Sequence, residues 1–119
     1  MSQLSPVLRK AQGGYLHWCP GCVHAHFIAV EKETGPRWSF NGDVEKPTFS
    51  PSVRIFTPAQ TETRDPDGTV WEATPERTEC HYFVRDGRIE FCSDSAHAFA
   101  GQIVPLPVMP GADEYGYGD

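Results

Sequence analysis

The sequence lacks a long apolar stretch, and this absence limits where the protein can act. None of its apolar runs approaches the roughly 18 residues that a membrane-spanning helix needs. The segment "MSQLSPVLRKAQGG" has no apolar core of the kind found in secretory signals. We therefore expect a soluble protein of the cytoplasm that has no membrane partner.

Positive charge is also scarce. The chain carries 10 lysine and arginine residues against 16 aspartate and glutamate residues, which gives a formal net charge of −6. A non-specific nucleic-acid binder needs a basic surface to neutralise phosphates, and no cluster of basic residues provides one. This charge balance predicts that nucleic acid is not a partner.

Extended helical periodicity is missing as well, whereas turn-forming residues are abundant. The 119 residues include 11 glycines and 11 prolines, a composition typical of short strands joined by turns. A chain of this length forms one domain with a limited core, so a metal ion would be a useful crosslink. The predicted fold is mainly β, a small single domain of short antiparallel hairpins with a zinc knuckle and at most one or two short helical turns.

Three regions are predicted along the chain. Residues 1–13 are expected to be a flexible lead-in, residues 14–108 a zinc-binding β-rich domain, and residues 109–119 a flexible acidic tail. Within the domain, residues 57–78 are the most polar segment and contain the turn sequence Asp-Pro-Asp-Gly. We expect this segment to form a surface hairpin or flap, in which Trp71 either packs or contacts a ligand.

The segment "ECHYFVRDGRIEFCSD" is the clearest structural element of the sequence. Asp86-Gly87 at its centre is a typical two-residue hairpin turn. Alternation along the two strands places one set of residues on the buried face. These residues are Cys80, Tyr82, Val84, Ile89 and Phe91. His81 and Cys92 would face each other on the opposite side.

The stretch "HWCPGCVHAH" is the strongest chemical signal. Cys19 and Cys22 are separated by two residues, a spacing that lets both thiolates of a turn reach one zinc ion. A redox-active pair would instead need the motif at the start of a helix, which the following residues do not favour. Four cysteines in a reducing compartment are also more often metal ligands or free thiols than disulfides. We therefore predict zinc as the cofactor.

A tetrahedral zinc site needs two further ligands. The candidates are His24, His26, Cys80, His81, Cys92 and His97. Cys80 and His81 are adjacent on a strand and point to opposite faces, so they rarely reach one ion. Cys80 and His97 are the preferred pair, because the chain after the hairpin turns back toward the strand end that carries Cys80. His26 is the main alternative, and replacement of Cys80 or His97 by His26 or His81 stays open.

Four stretches of the chain form a specific combination. They are "WCPGC" followed by His26, "NGDVEKPTFSPS", "CHYFVRDGRIEF" and "DSAHAFAGQIVPLP". Together they cover most of residues 15–107 and resemble a family of small uncharacterised phage and prophage proteins, often mislabelled as ammonia monooxygenases. The resemblance implies a metal-binding domain and brings no established activity. The polar positions that it carries over are Cys19, Cys22, His26, Cys80, His81, Asp94 and His97.

The chain departs from that family pattern at two positions. Ser95 stands where a cysteine is common, and Cys92 stands where an aliphatic residue is common. The resemblance therefore implies no metal role for Cys92.

The carried-over positions outnumber the four ligands of a closed zinc site. The surplus allows a catalytic cluster of His81, Asp94 and one of His26 or His97, in which Asp94 orients an imidazole as a general base. The same cleft would be lined by Asn41, Thr48, Ser50 and Ser52. The alternative is that these residues form turns, cap a short helix and bond to nearby backbone.

Two functions from different classes follow from these observations. The leading hypothesis is a small zinc-binding module, derived from a phage, that acts by binding a protein or a small ligand. The alternative is a zinc-dependent hydrolase that uses metal-bound water with support from His81 and Asp94. The motifs of zinc deaminases and of His-Glu-x-x-His metalloproteases are absent. A nucleophilic pair of Cys92 and His81 rests only on their predicted cross-strand position.

Overall fold

The computed structural model of the protein describes residues 2–32 and 35–111. Its regular elements are eleven β-strands, named β1 to β11 in chain order. They are Ser2–Gln3, Arg9–Ala11, Gly14–Cys19, His24–Ala29, Ser39–Phe40, Phe49–Thr57, Thr63–Arg64, Val70–Trp71, Arg77–Arg85, Arg88–Phe91 and Ile103–Pro105. These two ranges contain no helix, and hence none that is long and apolar enough to cross a membrane.

The strands form three sheets. The first has the order β1-β2-β3-β4, the second has the order β11-β10-β9-β6-β5, and the third pairs β7 with β8. Each pairing between these strands is antiparallel. The prediction of a small, mainly β domain built from antiparallel hairpins is confirmed.

One hydrophobic core joins the first and second sheets. The first sheet contributes Ile28, and the second contributes Phe49, Tyr82 and Ile89, none of them more than 1 % exposed. Apolar side chains at alternate strand positions cause this arrangement, because they can be buried only on a common face. The polar residues between them on β6 and β9 consequently lie on the outer face of the second sheet.

The turn between β9 and β10 has the register that the sequence predicts. Tyr82 pairs with Phe91, and Asp86 and Gly87 adopt φ angles of 50° and 76°. Positive φ values at both central residues match the twist of the two strands, and glycine adopts them at no steric cost. His81 consequently lies on the face opposite Tyr82.

The first residues of the chain take part in the first sheet. Ser2–Gln3 pairs with Arg9–Ala11, and Leu8 between them is fully buried. The segment that the sequence set apart as a lead-in thus contains two strands and a core residue. Of the predicted tail, 109–119, residues 112–119 lie outside the described part of the chain.

Strands β7 and β8 form a small hairpin within residues 57–78, as the turn sequence there predicts. Trp71 on β8 is 59 % exposed, and its indole N–H donates a hydrogen bond to the Asp65 carboxylate at 2.9 Å. The indole therefore lies on the surface and is held by its own hairpin rather than by the core.

Candidate active site and metal centre

Strand β9 carries reactive side chains on both of its faces. Cys80 is fully buried on the inner face, whereas His81, the next residue, points outward with 27 % of its side chain exposed. Adjacent side chains of a strand point in opposite directions. Two separate groups of polar side chains therefore form, one on each side of the second sheet.

On the outer face, Ser52, His81 and Asp94 form a hydrogen-bonded triad. Ser52 Oγ lies 3.1 Å from His81 Nε2, and His81 Nδ1 lies 3.1 and 3.2 Å from the two carboxylate oxygens of Asp94. An ionised carboxylate only accepts hydrogen bonds, so Nδ1 carries the proton and Nε2 accepts from the Ser52 hydroxyl. This is the order of a nucleophile, a general base and an orienting carboxylate.

An irregularity in strand pairing places Ser52. Phe49 pairs with Val84 and Val53 pairs with Tyr82, so the segment of β6 between these pairs is longer than the matching segment of β9. The extra residues bulge out of the ladder, and Ser52 within them reaches the outer-face histidine. Bulges re-aim side chains in this way and are frequent next to active sites.

Ser95 holds the main chain of His81. Its Oγ accepts a hydrogen bond from the His81 N–H at 3.0 Å and donates one to the His81 carbonyl at 2.9 Å. The same carbonyl accepts a hydrogen bond from the Cys92 N–H at 2.8 Å. Ser95 is 8 % exposed and directly follows Asp94. It is therefore a positioning residue that fixes two members of the triad relative to each other.

Cys92 lies beside the triad but is less suited than Ser52 to act with it. The ligand atoms of His81, Cys92 and Asp94 lie within 4.8 Å of one another. Burial, together with the nearby Asp94 carboxylate, raises the pKa of the Cys92 thiol. A thiol with a raised pKa stays protonated at neutral pH, and it is then a poor nucleophile. The geometry favours Ser52 as the partner of His81.

On the inner face, Cys19, Cys22, Cys80 and His97 come together, with ligand atoms that all lie within 4.8 Å of one another. Cys19 Sγ and Cys80 Sγ are 3.9 Å apart, and Cys80 Sγ and His97 Nε2 are 3.3 Å apart. Around a tetrahedral zinc-like ion, two sulfur ligands would be about 3.8 Å apart, and a sulfur and a nitrogen ligand about 3.5 Å apart. These four residues, the inner-face cluster, therefore fit a tetrahedral metal ion.

The turn between β3 and β4 positions the ligands of this cluster. The Cys22 N–H donates a hydrogen bond to Cys19 Sγ at 3.3 Å, which favours the thiolate. Gly21 packs directly against the imidazole of His97, because a Cβ at Gly21 would lie only 2.3 Å from that ring. The Cys-Pro-Gly-Cys turn thus sets both the spacing of the sulfurs and the close approach of His97.

The electrostatics of the inner-face cluster favour a bound cation. The hydrogen bond with Cys80 lowers the pKa of Cys19 to about 6. Burial, followed by the charge on Cys19, raises the pKa of Cys22 to about 11, and the hydrogen bond with Cys19, followed by burial, raises the pKa of Cys80. One thiolate forms readily and opposes ionisation of the other two. A cation between them would remove this opposition, because it neutralises their repulsion.

Two buried histidines contact Tyr82 beside the cluster. His17 Nε2 lies 2.7 Å and His26 Nδ1 lies 3.0 Å from the Tyr82 hydroxyl. Burial lowers the pKa of His17 to about 4 and the pKa of His26 to about 3. Both rings are therefore neutral at physiological pH, and His26 lies away from the triad on the outer face.

The buried, neutral ring of His17 makes folding stability depend on pH. Its pKa is about 4 in the folded protein against 6.5 for an unperturbed histidine, so the unfolded state binds the proton more readily between these values. His17 therefore does not lower the free energy of unfolding above pH 6.5. As the pH drops from 6.5 to the folded pKa, proton binding to the unfolded state lowers this free energy by about 3 kcal/mol. Denaturant unfolding across this range should show a smaller loss for His17→Gln than for the wild type. An equal loss in both proteins would contradict the assignment.

Comparison with known protein families finds a match to most of the chain. A family described as "Bacterial ubiquitination-like system serine protease (BubE)" matches residues 2–92 of the 119. The chain belongs to the BubE family. No curated protein and no solved structure matches it. The matched residues include Ser52, His81 and the cysteines of the inner-face cluster, and the match ends shortly before Asp94.

The BubE match corrects the leading functional hypothesis. The family is one of serine proteases, so the hypothesis of a zinc-binding module that acts by binding a protein or a small ligand is wrong. The hydrolase alternative agrees better with the family, although it relied on metal-bound water. His81 and Asp94 lie on the other side of the second sheet from the inner-face cluster, and His81 hydrogen-bonds with Ser52 and Asp94 there. The family belongs to a bacterial system, and the match does not bear on phage origin or ammonia oxidation.

The sequence-predicted site residues divide between the two faces. The predicted metal ligands meet on the inner face, and His81 and Asp94 meet on the outer face. Ser52 was predicted only to line a cleft, so its role as the partner of His81 was missed. Its segment "FSPS" has no glycine-flanked nucleophile motif that would have indicated it. No other feature of the sequence singles out Ser52 from the neighbouring serines of this segment.

Proposed function

We propose that the protein is a serine protease of a bacterial ubiquitination-like system, with Ser52 as nucleophile, His81 as general base and Asp94 as the residue that orients His81. The observation that supports this proposal is the hydrogen-bonded triad, in which Ser52 Oγ lies 3.1 Å from His81 Nε2 and His81 Nδ1 lies 3.1 Å from Asp94 Oδ1. The BubE description supports the reaction class and the biological setting. The expected partner is accordingly a protein substrate of such a system.

The triad performs the reaction in two halves. The Ser52 oxygen attacks the carbonyl carbon of the scissile bond while His81 Nε2 takes the hydroxyl proton. His81 then gives this proton to the leaving nitrogen, the C–N bond breaks, and an acyl ester remains on Ser52. Water then loses a proton to the same nitrogen of His81 and attacks the ester carbon. The bond from this carbon to the Ser52 oxygen breaks, and His81 returns the proton to that oxygen, which releases the carboxyl product and restores the free hydroxyl. Asp94 accepts the Nδ1–H throughout and stabilises the imidazolium that forms in each half.

The exposure of the triad suits a polypeptide substrate. The side chains of His81 and Asp94 are 27 % and 54 % exposed, and Ser52 lies at the bulge beside them. A protein segment can therefore reach the nucleophile from the outer face of the second sheet without any opening of the core.

We further propose zinc as the ion of the inner-face cluster. Three thiolates and one imidazole are a ligand set of structural zinc sites, and they fill all four positions of a tetrahedral ion. Zinc held in this way crosslinks the chain and leaves no position for a reactive water. The crosslink would join β3, β9 and the segment after β10, which carry the ligands.

A fluorophosphonate probe tests the protease assignment, because it forms a stable bond with a serine that a general base activates. We expect one adduct on Ser52, located by peptide mass spectrometry, and no adduct in Ser52→Ala. Ser50→Ala is the matched control, since Ser50 is an exposed serine of the same strand outside the triad. Labelling of this variant should equal that of the wild type. A folded protein without an adduct on Ser52 would refute the proposal, because a hydrolase that uses metal-bound water has no such serine.

A further inference from the structure

Nε2 of His26 is a buried polar atom that has no hydrogen-bond partner among the described residues. The residue is only 3 % exposed, so bulk water does not solvate the ring. Leaving a buried polar atom unpaired destabilises the fold, and native structures rarely do so without a reason. An unpaired atom of this kind is evidence for a bound ligand, and the neighbouring side chains indicate which kind of ligand it is.

The hydrogen bonds around His26 fix which of its nitrogens carries the proton. His17 Nδ1 faces the Trp18 carbonyl at 3.3 Å, so it is the donor, and His17 Nε2 accepts from the Tyr82 hydroxyl at 2.7 Å. The Tyr82 oxygen then accepts from the His26 Nδ1–H at 3.0 Å. A neutral imidazole has a single N–H, so His26 Nε2 presents a lone pair. A buried lone pair that meets no donor is suited to a metal ion.

Two further candidate ligand residues, Cys22 and His24, lie close to His26. His24 is two positions before His26 on β4, so both side chains lie on one side of the strand, with ring centres 4.8 Å apart. The His24 Nδ1–H donates to the Ala25 carbonyl at 3.0 Å, which leaves a lone pair on Nε2 as in His26. The ligand atoms of Cys22, His24 and His26 all lie within 4.8 Å of one another. Metal-bound histidines are typically oriented by such a bond from the other ring nitrogen.

Space and charge also favour a cation at this place. Cys22 is half-buried and lines a cavity of about 290 Å³ together with His24 and His97. Its sulfur is therefore reachable from the side of His24 as well as from the inner-face cluster. Three thiolates around one divalent ion leave a net negative charge in the interior, and a second divalent ion beside Cys22 would offset it.

We propose that Cys22, His24 and His26 bind a second divalent metal ion of the zinc type, and that the Cys22 thiolate bridges it to the ion of the inner-face cluster. Two imidazoles and a thiolate suit zinc or cobalt, whereas magnesium and calcium prefer oxygen ligands. Three protein ligands leave one coordination position, which opens to the cavity. The proposal rests on the zinc cluster proposed above and is independent of the serine triad.

Native mass spectrometry of the folded protein, purified in the presence of zinc, counts the bound ions. The wild type should carry two zinc ions. His24→Ala should carry one, because His24 is exposed and belongs to the second site alone, and His26→Gln should also carry one. His81→Ala removes a histidine outside both sites and should keep two ions.

Cobalt titration of the same proteins separates the two sites. The second equivalent of Co²⁺ should change the visible absorption of the wild type and leave that of His24→Ala unchanged. A single ion in the wild type, or two ions that persist in both His24→Ala and His26→Gln, would overturn the second site. A wild-type protein without any ion would refute the inner-face cluster as well, so the failures of the two sites are distinguishable.

Discussion

Replacing Ser52 by alanine is expected to lower kcat for peptide or ester hydrolysis by about 10⁴-fold or more, with little change in KM. The Ser52 hydroxyl is the group that lies 3.1 Å from the proton-accepting nitrogen of His81. Without this oxygen no acyl intermediate can form. Steady-state hydrolysis of an activated ester measures the effect, because the ester reports the chemistry without needing the natural protein substrate.

Two further variants show whether Ser52 acts within the triad. Ser50→Ala removes a hydroxyl from the same strand and should keep wild-type kcat. The double variant Ser52→Ala, His81→Ala should be no slower than Ser52→Ala, because residues that act as a unit give non-additive losses. Substantial activity in Ser52→Ala that falls further in the double variant would show that His81 serves another nucleophile.

The hairpin of β9 and β10 could be predicted from the sequence because the residues that determine its turn and register all lie within one short segment. Asp86-Gly87 fixes the turn, the turn fixes the register, and alternation assigns each side chain to a face. The same alternation assigns Cys80 and His81 to opposite sides of the second sheet. The pairing of β6 with β9 is different, since it joins distant segments and contains a shift that no residue type indicates. The position of Ser52 depends on that shift, so the nucleophile was not predictable in the same way.

The predicted metal ligands are near one another in the structure for reasons that the sequence also contains. Cys19 and Cys22 are held by a short turn, and the hairpin brings Cys80 and the return of the chain at His97 to the same end. The sequence could not show that Gly21 touches the His97 ring. Nor could it show the hydrogen bonds that leave His26 with a free lone pair.

The inner-face cluster and the triad share their supporting segments. Cys80 and His81 are neighbours on β9, and Asp94 and His97 lie in one short segment after β10. Ser95 ties this segment to the main chain of His81. An ion that binds Cys80 and His97 would therefore also fix the distance between His81 and Asp94. A rigid base and carboxylate of this kind are what a small domain needs to keep a catalytic geometry.

Removal of the metal is expected to unfold the domain and to abolish hydrolysis at the same time. Structural zinc contributes about 10–16 kcal/mol in zinc-finger peptides, which is comparable to the total stability of about 5–15 kcal/mol of an ordinary domain. A Cys19→Ser, Cys22→Ser variant should accordingly lose its cooperative thermal transition, and a strong chelator should do the same to the wild type. Circular dichroism during heating and during chelator titration measures both effects.

Cys92→Ser is the matched control for this experiment, because Cys92 is the one cysteine of four that lies outside the inner-face cluster. It should keep the wild-type melting temperature and metal content. In the wild type, hydrolysis and the folded signal should disappear at the same chelator concentration and return together when zinc is restored. The reason is that the ion affects Ser52 only by stabilising the folded structure. A cysteine double variant that melts like the wild type would refute the structural role. Loss of hydrolysis at chelator concentrations that leave the fold intact would instead give the metal a direct part in the reaction.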